Sequence, residues 1–130
     1  MLMLFTALCG VASAETAVTP RASNYFHSYG VNLGDAGNGK LSITFHCVGL
    51  GICSTLGVAS YDVEKLTDGG WVNVSGLLDG QTGSNCASYT YGRYFNGVSG
   101  ETYRLNVTFI CALNGGVETK TFTSGTITMD

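Results

Sequence analysis

Tyr103, Leu105, Val107, Phe109 and Cys111 alternate with Arg104, Asn106 and Thr108, a two-residue beat that only a half-buried β-strand satisfies. Leu41, Ile43, Phe45 and Cys47 repeat it against Ser42, Thr44 and His46. Both apolar faces end in a cysteine, which predicts that the two strand ends meet inside. Turn signals punctuate the rest of the chain: Gly37-Asn38-Gly39, Gly49 to Gly51, Asp68-Gly69-Gly70, Asp79 to Ser84, Asn96 to Gly100, and Asn114-Gly115-Gly116. Such residues supply the positive φ that tight hairpins require. Six signals leave seven segments, and no 3.6-residue stripe follows the first fourteen residues. The expected fold is all-β.

A chain of 130 residues has room for one core. Charged residues make up only 12%, and a net charge of −3 with scattered Lys and Arg excludes a nucleic-acid surface, which needs clustered cations. The expected organisation is a leader over residues 1–14, a flexible segment over 15–24 holding the sole proline (Pro20), and a β-sandwich domain over 25–130.

The leader is read from an apolar stretch, Met1 to Val11, followed by Ala12-Ser13-Ala14, a small-x-small signal-peptidase pattern. It is too short to span a bilayer. It lacks a positive n-region, from which we expect the true start to lie upstream. A lipoprotein reading through Cys9 is poor, because bulky Leu8 precedes it. Cleavage after Ala14 leaves Cys47, Cys53, Cys86 and Cys111, an even set that in an exported chain predicts two disulfides. No CxxC pair occurs, and neither His27 nor His46 completes a zinc set, so no metal or cofactor is expected.

"GVASYDVEKLTDGGWVNV" resembles the third strand and following hairpin of a fibronectin type III domain, with Tyr61, Val63 and Glu64 in a Y-x-V-E pattern. "GETYRLNVTF" and "NGGVETKTFTSG" are similar to its F strand, F–G turn and G strand, with Tyr103 where its tyrosine corner falls. The chain also resembles small secreted proteins of Gram-positive bacteria that open on "GNGKLSITF". The resemblance covers residues 38–128 and implies an immunoglobulin-like, seven-stranded antiparallel sandwich. Leu41–Cys47 would be B, Val58–Leu66 C, Trp71–Leu77 C′ and Ser88–Phe95 E. Phe45 stands in place of the usual strand B tryptophan, and four cysteines are added.

Successive antiparallel strands would put the B–C, C′–E and F–G connections at one end. Cys47 ends B, Cys53 falls in the B–C loop, Cys86 precedes E and Cys111 closes F, so all four gather at one pole. Parity favours Cys47–Cys111 with Cys53–Cys86; the rival set is Cys47–Cys86 with Cys53–Cys111. A partner would meet the loops of that pole, Val48–Thr55, Leu78–Asn85 and Ala112–Val117, through Leu50, Ile52, Gln81, Thr82, Leu113 and Asn114.

Catalytic candidates are thin. Asp62 and Glu64 share a strand face roughly 6–7 Å apart, a separation that suits an inverting glycosidase. Arg104 on the neighbouring strand is expected to neutralise Glu64, making the pair a solvated face. No G-x-S-x-G occurs, and Asp35 to Lys40 lacks the acidic ligands of a calcium loop. Asn73 and Asn106 match glycosylation sequons that arise often by chance. The aromatics Trp71, Tyr89, Tyr91, Tyr94 and Phe95, with Tyr25, Phe26 and Tyr29, read mainly as cross-strand packing, with at least one of Tyr94 and Phe95 outside. The expected protein is secreted, monomeric and non-enzymatic, a binding or adhesion module for an extracellular protein or carbohydrate. The alternatives are an envelope protein assembling through edge strands and a small glycan-acting hydrolase.

Overall fold

A computed structural model describes residues 13–18 and 23–130. Among them every regular element is a strand: β1 (Ser13–Val18), β2 (Phe26–Asp35), β3 (Lys40–Cys53), β4 (Thr55–Thr67), β5 (Gly70–Asn73), β6 (Leu78–Asp79), β7 (Thr82–Gly83), β8 (Cys86–Asn96), β9 (Thr102–Leu113), β10 (Gly116–Thr123) and β11 (Ile127–Thr128). One sheet has the order β1-β2-β3-β8. The other has the order β10-β9-β4-β5, with β11 added on β9 and β6 and β7 on β4. All pairings are antiparallel.

The alternation read from the sequence holds. Tyr103, Leu105, Val107, Phe109 and Cys111 of β9 are buried, as are Leu41, Ile43, Phe45 and Cys47 of β3. Burying each large apolar side chain contributes about 1.5–3 kcal/mol. Aromatic rings tie the two sheets together: Phe45 and Tyr61 have centroids 4.9 Å apart, Tyr29 and Phe109 5.2 Å, and Phe95 and Tyr103 6.0 Å. The β9–β10 hairpin is closed by Asn114-Gly115 at φ 54° and 83°, between the paired residues Leu113 and Gly116. At the opposite pole, the Val98 N–H donates to the Tyr103 hydroxyl over 2.8 Å, fixing the β8–β9 turn.

Several expected boundaries are corrected. Seven strands were expected, and the described residues form eleven. The Gly49 to Gly51 signal does not end a strand: β3 continues through it, with a bulge between Val48 and Cys53. Cys53 therefore lies in a strand, not in a loop. The strand expected over residues 71–77 stops at Asn73, whose Oδ1 accepts from the Ser75 and Gly76 N–H groups in an Asx-type turn. Part of the Asp79 to Ser84 connection is regular, because β6 and β7 pair along β4. Ser13–Val18 pairs with β2, in a stretch spanning the end of the expected leader and the start of the expected flexible segment. Residues 1–12 and 19–22 lie outside the described residues.

Candidate functional site: the cysteine pole

The pole is built where one polypeptide passes from one sheet to the other. β3 belongs to the first sheet and β4 to the second, and only Ser54 separates them. The passage is held by backbone bonds: Leu50 N–H donates to the Tyr25 carbonyl (2.8 Å), and Ser54 N–H to the Ala112 carbonyl (2.9 Å). Gly49 makes the bend feasible, because a Cβ there would overlap the Cys53 sulfur. Ser23 fastens the start of β2 beside it. Its hydroxyl accepts from Phe26 N–H (2.8 Å) and donates to Glu118 of β10 (2.8 Å).

This geometry brings the four cysteines to one end, as a set of free thiols. The Cys53 and Cys111 sulfurs lie 3.1 Å apart, both fully buried. Cys86 is the register partner of Cys53 across β3 and β8, and Cys47 is that of Tyr89. Cys111 thus faces Cys53 rather than Cys47, against the pairing that strand parity favours. The cause is the bulge, which carries β3 six residues past Cys47 and delivers Cys53 to the β9 side. Burial, then the neighbouring Cys86 and Cys53 thiols, push the Cys47 thiol up to about 12. Burial, then the Cys53 contact, push Cys111 to about 12 as well.

The candidate contact residues divide into two groups. Leu50 and Ile52 stand on the corner, 53% and 67% exposed, and Val117 of β10, opposite Ala112, is 63% exposed. Leu113 and Asn114 occupy the adjoining hairpin, and an added Cβ on Gly51 would touch the Leu113 side chain. Gln81 and Thr82 sit lower on the flank. The Gln81 side chain turns away from the rim, donating to the Tyr89 hydroxyl (2.7 Å) and accepting from Arg93 (2.6 Å). Val117 and Ser23 were not singled out in the sequence; Val117 alternates with Glu118 at a turn exit, a weak signal, and nothing local marks Ser23.

The carboxylates lie on the outer face of the second sheet and are engaged. Glu64 accepts from Arg104 Nε (2.7 Å), whose guanidinium lies 4.2 Å from the Trp71 ring centroid. Asp62 accepts from the Asn106 amide (3.1 Å), and Asn106 in turn accepts from Thr123 (2.8 Å). Asp35 holds its own turn, accepting from Gly37 N–H (2.8 Å) and Asp130 N–H (2.9 Å). These bonds, Asp130 foremost, hold its carboxyl below the usual range. Tyr94 is exposed and Phe95 half-buried. Among the described residues no cluster of three or more His, Cys, Asp or Glu side chains has the arrangement of a metal site. Nor is any helix there long and apolar enough to cross a membrane.

No family model matches the chain, and no curated protein does. Among solved structures it is similar to a protein from Archaeoglobus fulgidus, at 13% identity and a TM-score of 0.42, over 81% of this chain and 98% of that one.

Proposed function

We propose that the chain is an exported, non-enzymatic binding module of the immunoglobulin-like class, fibronectin type III-like in strand order, whose cysteine pole docks an extracellular protein. The order of β2-β3-β8 against β5-β4-β9-β10 supports the class, since it matches an A-B-E sheet facing a C′-C-F-G sheet. The Tyr103–Val98 bond supports it too, standing where a tyrosine corner belongs.

The exposure of Leu50 and Ile52 on a corner fixed by backbone hydrogen bonds carries the docking assignment. A pre-ordered apolar rim loses little conformational entropy when a partner covers it. Its chemistry is aliphatic, which suits a protein surface better than a sugar face, whose usual platform is an aromatic ring. The one tryptophan, Trp71, lies elsewhere with Arg104 against its ring.

The test compares the wild-type chain with Leu50→Ser/Ile52→Ser on arrays of extracellular proteins and glycans. Protein ligands of the wild type should bind the variant at least about ten-fold more weakly, with unchanged thermal unfolding. Wild-type binding to glycans alone, binding retained by the variant, or no wild-type binding would each overturn the assignment.

A further inference from the structure

We infer that the oxidised protein carries two disulfides, Cys53–Cys111 joining the two sheets and Cys47–Cys86 within the first sheet. Cys53 has two candidate neighbours. Cys86 opposes it in the β3–β8 ladder, and Cys111 approaches it sulfur to sulfur at 3.1 Å. Bond formation joins sulfurs, so the sulfur approach selects Cys111 over the backbone register. Cys47 then has Cys86 as its partner. Both lie on adjacent strands of one sheet, where Cys47 opposes Tyr89, three residues along β8 from Cys86.

The two bridges differ in access. Cys53, Cys111 and Cys47 are buried, whereas Cys86 is half-exposed. In the folded chain the Cys86 thiolate attacks a small disulfide oxidant such as oxidised glutathione, breaking its S–S bond and releasing one glutathione thiolate. The Cys47 thiol, losing its proton to the departing glutathione, then attacks the mixed disulfide at Cys86 and expels that second glutathione. Two protein thiols and one oxidant disulfide become one protein disulfide and two glutathione thiols. Cys53–Cys111 forms by the same exchange before the pole closes over it, and afterwards lies out of reductant's reach. The inference is independent of what the pole binds.

The full chain is refolded from denaturant in a glutathione redox buffer, alkylated, and digested without reduction by trypsin and chymotrypsin, which cleaves at Leu50 between Cys47 and Cys53. The expected linked peptides join Cys53 to Cys111 and Cys47 to Cys86. A second measurement titrates the native oxidised protein with reductant: half-exposed Cys86 should become alkylatable first, with buried Cys47, Cys53 and Cys111 alkylated only on unfolding. Links from Cys47 to Cys111 or from Cys53 to Cys86, four free thiols after oxidation, or earlier release of Cys53 and Cys111 would overturn the assignment.

Discussion

The Val98 amide donates to the hydroxyl of Tyr103 over 2.8 Å, and the same Tyr103 ring is buried against Phe95 with centroids 6.0 Å apart. One side chain thus performs two tasks, filling the core between β8 and β9 and clamping the turn that connects them. Gly97 adds to the clamp, since its backbone lies against the Tyr103 ring with no room for a Cβ.

Tyr103→Phe separates those tasks, because it keeps the ring and deletes the acceptor. The expected cost is about 1 kcal/mol, the worth of one part-buried hydrogen bond. Urea unfolding of the two proteins under the same conditions measures it. An unchanged midpoint would mean that the turn is held by its glycines and backbone bonds alone.

The fold was legible wherever a local rule agreed with the packing. The period-two pattern of β9 named its buried face because one side of that strand meets the core and the other does not. Asn114-Gly115 announced a tight hairpin because both positions need positive φ. The corner was not legible, since Gly49 to Gly51 carry the signature of a turn but serve as a bend in a continuous strand. What decides between those readings is the second sheet, which receives β4 immediately after Ser54. The pole itself followed from connection topology. The contact of Cys53 with Cys111 did not, because it depends on the bulge, and a bulge inverts the parity on which sequence reasoning rests.

Gly80 lies where the β6–β7 connection presses on β4. A Cβ at this position would overlap the Val58 carbonyl, while the Gly80 N–H donates to the Ala59 carbonyl at 3.2 Å. Gly80→Ala must therefore push the connection off the sheet, at a cost of about 2–3 kcal/mol. Gly69→Ala is the control, because the nearest atom to an added Cβ there is the Thr67 hydroxyl at 4.0 Å. Thermal unfolding should separate the two variants clearly, and equal melting temperatures would refute the close approach.

Arg104 joins Glu64 to Trp71, and Trp71 is the sole tryptophan, so its fluorescence reports on this cluster directly. Arg104→Ala should shift the emission to the red as water reaches the ring face. Stability should fall by less than about 1 kcal/mol, because the pair is partly solvated and its side chains lose freedom in pairing. Salt should shrink that difference further. An emission spectrum identical to the wild type would show that the guanidinium does not cover Trp71 in solution.

The buried thiols make the redox state visible in the pH dependence of stability. In the reduced folded protein Cys47 and Cys111 hold their protons up to about 12, against an ordinary value of 9.0. Above pH 9 the unfolded chain ionises these thiols while the folded chain does not, so ionisation favours unfolding. Their contribution is complete below about pH 9 and is lost as pH rises toward 12. Urea midpoints of the reduced protein should accordingly fall between about pH 7 and about pH 10. The oxidised protein has no such thiols to ionise and should show a smaller decline over the same interval. Parallel declines in both forms would assign the alkaline loss to tyrosines and lysines instead, and would mean that the thiols at this pole are solvated.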